Sequence, residues 1–195
     1  HVRSRRQRQM CIRDSDSSVG ASTVFGPGEA EAAVLGVGSG ENPYMGVAFK
    51  GACDESLLKR NPRVGMIHAM AECYRALCCV GAKPLAITDG INLGNPNTEK
   101  VQTQLAEAVQ GLNEAIEIFD TPCVSGNVSL YNQTKNETGS VDIDPSIFVV
   151  MVGRVDDVRF SRPCVFQKEG SEVWVLEASS KASREGAVSY THLRA

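Results

Sequence analysis

Apolar positions recur along this chain at two periods. Ala32–Val37 and Tyr44–Phe49 are strand-length apolar runs separated by the turn Gly38-Ser39-Gly40-Glu41-Asn42-Pro43, and together they predict a β-hairpin. From Asn61-Pro62 the spacing lengthens. Val64, Ile67, Ala71, Tyr74 and Leu77 fall on one helical stripe, and a proline at the first turn suits a helix start. Pro84–Thr88 reads as a buried strand. Asn97–Phe119 predicts a second long helix, with Val101, Leu105, Ala108, Leu112, Ala115, Ile116 and Phe119 on its apolar face. Its other face, with Glu99, Gln102, Glu107, Gln110, Asn113, Glu114 and Glu117, belongs in water. Cys123–Leu130 and Ile147–Val152 predict two more strands. Ser17–Gly28 and Asn132–Asp144 show no period and read as a loop and a polar excursion. Val155–Lys168 reads as a connector, and Glu172–Leu176 begins a further strand.

Two of the strands empty into small polar residues. Pro84–Thr88 runs into Asp89-Gly90-Ile91-Asn92-Leu93-Gly94-Asn95, and Cys123-Val124 runs into Ser125-Gly126-Asn127-Val128-Ser129. A strand, a polar cluster and a helix make an α/β unit, and ligands gather where its strands end. A strand–helix–strand crossover sets the two strands side by side with their ends together. Asp89 and Asn127 would then lie close enough to share one cluster at one edge of the sheet. Glycines let the backbone approach a ligand, and Asp and Asn oxygens suit a hard cation such as magnesium. Spacing alone leaves a second reading equally open, in which Asp89, Asn92 and Asn95 cap loops and helix starts.

These clusters resemble the second repeat of phosphoribosylformylglycinamidine synthase, the synthetase subunit of purine biosynthesis. The matching pieces are Gly81-Ala82-Lys83-Pro84-Leu85-Ala86-Ile87-Thr88-Asp89, Asn92-Leu93-Gly94-Asn95-Pro96 and Ser125-Gly126-Asn127-Val128-Ser129-Leu130-Tyr131-Asn132. The last is the most specific. The resemblance implies an α/β (α+β) fold of the aminoimidazole ribonucleotide synthetase (PurM)-like N-terminal type. That fold has a mixed, largely antiparallel sheet with two long helices on one face. It also implies a domain over 16–155 and a connector with the start of a C-terminal domain over 156–187. The implied reaction converts formylglycinamide ribonucleotide to its amidine, using ATP, magnesium (Mg2+) and ammonia from a glutaminase subunit or domain. By position, Asp89 and Gly126 resemble ATP-contacting residues, Asn127 a magnesium ligand and Ser129 a substrate-contacting residue. The family's catalytic His lies in a first repeat that this sequence lacks, so no catalytic residue is assigned here and the segment alone is expected to be inactive. The alternatives are another ATP-dependent enzyme of the same fold, similar to aminoimidazole ribonucleotide synthetase, and a non-catalytic nucleotide-binding or assembly repeat. Two departures stand out. Glu31 precedes Ala32-Ala33-Val34 where the family commonly has Asp, and Ala52 stands where it commonly has another Asp.

Composition sharpens this in three ways. The sequence of 195 residues carries a net charge of −3. Residues 1–15 and 188–195 resemble translated sequencing-adapter sequence and are set aside as artefactual flanks. Without them, 14 Lys and Arg face 22 Asp and Glu, a net charge of −8, which argues against a nucleic-acid partner. Seven Cys in an odd count, without a Cys-x-x-Cys pair, point to a reducing cytoplasm. No apolar run reaches membrane-spanning length, so no membrane partner is expected. His68 is the one His within 16–187. It shares a helix face with Glu72 and Arg75 and reads as a partly exposed surface residue. A Gly-rich P-loop and a nucleophile–His–acid set are both absent from the sequence.

Overall fold

The computed structural model describes residues 22–26, 28–136 and 139–172. Its first compact unit extends through Val165. In chain order the elements are β1 (Thr23–Phe25), β2 (Ala33–Gly36), β3 (Gly46–Ala52), α1 (Glu55–Arg60), α2 (Pro62–Cys79), β4 (Lys83–Asn92), α3 (Glu99–Phe119), β5 (Cys123–Ser129), β6 (Gln133–Asn136), β7 (Gly139–Asp142) and β8 (Ser146–Val155), followed by a short 3-10 turn at Val158–Phe160. Of the second unit, residues 166–172 are described and carry no regular element.

Six strands form one sheet in the order β1-β2-β3-β8-β4-β5. Every pairing is antiparallel except β4 with β5. The expected β2–β3 hairpin is present, with Val34 opposite Ala48. The expected crossover is present too: β4 leads through α3 into β5, and the two strands run parallel. β8 comes last in sequence yet sits at the centre of the sheet, between β3 and β4. Alternation along it is strict. Ile147, Val149 and Met151 are fully buried, while Phe148 is 42% exposed. One face of the sheet therefore meets the helices and the other stays open.

The two long helices start close to where the sequence places them, α2 at Pro62 and α3 at Glu99, two residues after Asn97. Asn61 closes α1 and opens α2, its side chain accepting from Val64 N at 3.0 Å. Thr98 caps α3 in the same manner. The stripe expected on α3 is the one found, with Val101, Ala108, Leu112 and Ala115 buried. The stripe expected on α2 is displaced. Val64 is 45% exposed, and the buried residues are Met66, Ala69, Met70, Cys73, Ala76 and Leu77. The reason is that α2 is packed on two sides. The Cys73 thiol reaches the carbonyls of Lys50 and Val149 in the sheet. Tyr74 stacks on Phe119 of α3, with ring centroids 5.0 Å apart. A helix buried on two flanks has no single stripe to read.

Three short elements were not expected. β1 pairs with β2 inside the segment read as a loop. α1 is capped by Asp54, which accepts from Leu57 N at 2.9 Å. The polar excursion is a hairpin, β6 paired with β7. The segment read as a connector belongs to the first unit as far as Val165, where Val158 N donates to Tyr44 O and Cys164 N donates to Glu29 O, each at 2.9 Å. The two flanks, and the strand expected at Glu172–Leu176 beyond Glu172, lie outside the described residues.

Candidate functional site

The ends of β4 and β5 carry the residues singled out in the sequence. The register sets Asp89 opposite Gly126, Gly90 opposite Asn127 and Asn92 opposite Ser129. All four candidate residues therefore lie within the last four positions of two neighbouring strands; Asp89, expected just after its strand, is inside β4, whose pairing with β5 and β8 continues to Asn92. Their side chains do not all meet. Gly126 and Asn127 are consecutive in a strand, so their substituents point to opposite faces. Asp89 and Gly126 belong to the helix-covered face, in a row with Val149 and Ala52. Asn127 and Ser129 belong to the open face, in rows with Gly90 and Phe148 and with Asn92 and Ser146. The single shared cluster expected from spacing is thus divided by the sheet itself. Alternation along Ser125–Ser129 was the signal in the sequence that could have revealed this.

Gly126 is small for a local reason. A Cβ there would collide with the Asp89 carboxylate, which lies flat against the β5 backbone. Cys123, which sequence reasoning did not select, donates its thiol to Asp89 Oδ1 at 3.3 Å and to Ser125 O at 3.0 Å. Burial pushes the Cys123 thiol up from its ordinary range, and the neighbouring Asp89 pushes it the same way. The departure at Ala52 falls in the same row as Asp89, two strands away across Val149. An Asp at that position would have added a second carboxylate to this face.

On the open face Phe148 lies across Gly90, where a Cβ would strike its ring. Beyond the strand ends a set of hydrogen bonds joins three loops. Asn132 Nδ2 donates to Leu93 O at 3.0 Å and to Ser129 O at 2.9 Å. Asp142 Oδ1 accepts from Asn95 N and from Gln133 Nε2, each at 2.8 Å. Ser129 Oγ donates to Asn132 Oδ1 at 3.3 Å. The loops after β4 and β5 are in this way held to the β6–β7 hairpin.

Among the described residues there is no group of three or more His, Cys, Asp and Glu side chains that could hold a metal ion. Asn127 offers one amide oxygen on the open face and Asp89 one carboxylate on the other. Such a donor set does not make an all-protein cage. The Asn127 oxygen by itself fits magnesium, which commonly takes one or two protein oxygens and fills its remaining positions with phosphate oxygens and water. Among the described residues no helix is long and apolar enough to cross a membrane.

Comparison with known proteins gives the family of this fold. Residues 29–155 match the family model described as AIR synthase related protein, N-terminal domain. The chain is similar to the phosphoribosylformylglycinamidine synthase subunit PurL of Thermomicrobium roseum, 40% identical over 188 residues, which cover 93% of this chain and 25% of that protein. Among solved structures it is similar to T. maritima PurL complexed with ATP (TM-score 0.58, 32% identity, 70% of this chain and 22% of that one). It is also similar to T. maritima PurL complexed with FGAR (TM-score 0.61, 32% identity, 74% and 22%). The chain spans about a quarter of the length of the curated relatives it matches.

Proposed function

This chain belongs to the AIR synthase related family through its N-terminal domain, and on that premise we propose that it is part of an ATP-dependent carbon–nitrogen ligase, a phosphoribosylformylglycinamidine synthase. The enzyme converts formylglycinamide ribonucleotide to formylglycinamidine ribonucleotide in the cytoplasm, with ammonia delivered by a glutaminase subunit or domain. The observation that carries the reading is the pairing of Asp89 with Gly126 three residues before the ends of two parallel strands. It leaves a carboxylate against bare backbone at the place where α/β units bind ligands.

The chemistry follows from what an amide lacks. Its oxygen is a poor leaving group, so ATP phosphorylates it and ammonia then displaces phosphate at the same carbon. Catalysis is mostly positioning and electrostatics. Asp89 accepts a hydrogen bond from a donor on the nucleotide, and Gly126 lets the β5 backbone come up to it. Asn127, on the other face of the edge strand β5, would supply its amide oxygen to magnesium where the phosphates pass that edge, and the ion would offset phosphate charge during the transfer. The Ser129 hydroxyl, on the same face as Asn127, turns its proton from Asn132 Oδ1 toward the ribonucleotide and keeps the bond it accepts from Asn132 Nδ2. No residue of this chain takes the role of catalytic acid or base. That role falls to a first repeat of the same enzyme, which packs against the open sheet face. Residues 156–187 are then the connector and the start of a second domain.

The test uses the full-length protein that carries this segment. ATP-dependent amidine formation is expected, with Asp89→Ala and Gly126→Ala each raising the KM for ATP about tenfold, the weight of one hydrogen bond to a charged group. Turnover unchanged by both substitutions would favour the alternative reading, a nucleotide-binding repeat that serves assembly rather than chemistry.

A further inference from the structure

Two non-glycine residues among those described hold a left-handed backbone, Asp120 at φ 50° and Tyr131 at φ 61°. Asp120 is explained by its place. It ends α3, its N–H bonding Ile116 O, and a short polar side chain tolerates that conformation. Tyr131 has no such explanation. A bulky side chain at positive φ is an outlier, and Gly or Asn would take the turn with less strain.

The surrounding hydrogen bonds demand the backbone shape and make no use of the side chain. Tyr131 N donates to Gly94 O at 2.8 Å, and Asn132 N donates to Leu93 O at 3.2 Å. The Asn132 amide then ties Leu93 O to Ser129 O. The Tyr131 side chain is 59% exposed. It makes no hydrogen bond or ring contact with any described residue. A turn that Gly would fill more easily therefore holds a tyrosine whose ring is mostly exposed and whose hydroxyl bonds no described residue. Strain of this kind gathers at ligand sites. This turn lies two residues beyond Ser129, where the loops after β4 and β5 are bound together.

We infer that Tyr131 is a substrate-binding residue of this site, its left-handed backbone aiming the phenol at the phosphorylated ribosyl amide held by Ser129. The inference rests on the proposed function. A phenol suits that ligand: the hydroxyl donates to an anionic or carbonyl oxygen, and the rigid ring adds contact area with few torsions to fix. The Ser129 hydroxyl is already engaged with Asn132, so a second donor beside it completes the contact.

The experiment compares Tyr131→Asn, Tyr131→Gly and Tyr131→Phe in the full-length enzyme, reading thermal midpoint and steady-state kinetics. Tyr131→Asn keeps the turn without the ring and melts at or above the wild type. Its KM for formylglycinamide ribonucleotide rises about tenfold or more, while its KM for ATP is unchanged. Tyr131→Phe keeps the ring and recovers part of the loss. Tyr131→Gly carries the same kinetic comparison if Tyr131→Asn folds poorly. An unchanged KM for the ribonucleotide in both Tyr131→Asn and Tyr131→Gly overturns the inference, whatever the thermal midpoint does. A wild-type enzyme that forms no amidine overturns the proposed function itself, and that outcome is seen before any substitution is made.

Discussion

Gly126 lacks a side chain, and the space where one would begin is filled by the Asp89 carboxylate. That single contact links three residues, because the same carboxylate accepts from the Cys123 thiol. The thiolate is the reactive form of cysteine. Burial and the Asp89 charge both disfavour it here, burial more strongly. Replacing Asp89 by Asn keeps an acceptor oxygen and removes the charge, while burial is unchanged. The thiol then titrates lower than in the wild type, and more thiolate is present at pH 8. Asp89→Asn is expected to accelerate iodoacetamide alkylation of Cys123, followed by mass spectrometry of its peptide. A rate equal to the wild type would mean that the carboxylate does not face the thiol.

Among the elements, the crossing of α2 and α3 depends on Gly111. A Cβ there would meet the Arg63 backbone carbonyl, and the neighbouring Arg63–Glu114 pair, 2.6 Å apart, bridges the same two helices at the surface. Gly111→Ala sets two effects against each other. Helix propensity gains about 1 kcal/mol. Overpacking against backbone, which cannot rotate away, costs about 1–3 kcal/mol. The clash wins, and the 195-residue chain is expected to lose roughly 1 kcal/mol in urea unfolding. A stabilised variant would show that the helices separate freely at this point.

At the largest scale, the six-stranded sheet of the first unit has one helix-covered and one open face. Phe49 is 38% exposed on the open side, with half-buried Val152 opposite it and Val47 flanking it in β3, and half-buried Val150 links Val152 to Phe148 along β8. A patch of this kind on a small protein marks an interaction surface. The isolated chain is expected to associate, its sedimentation coefficient rising with concentration, and Phe49→Glu is expected to shift it toward monomer. Concentration-independent sedimentation of the unmodified chain would count against a covering partner on this face.

How much of this was legible without coordinates depended on where each force acts. α3 could be read residue by residue, because it buries one face only and its caps are local. The β2–β3 hairpin and the β4–α3–β5 crossover were legible for the same reason, since strand runs and turn residues adjoin in the chain. The residues at the ends of β4 and β5 could be chosen from their composition and their resemblance to a known family. The rest was decided by contacts between distant segments. β8 lies between β3 and β4 although its sequence neighbours are β7 and the 3-10 turn. Packing of α2 against both the sheet and α3 spread its apolar residues over two flanks and hid its stripe. Pairing made a strand of Thr23–Phe25, which three residues alone could not announce. The sheet register separated Asp89 from Asn127, close in space but on opposite faces, because a pleated strand turns each successive side chain to the other side.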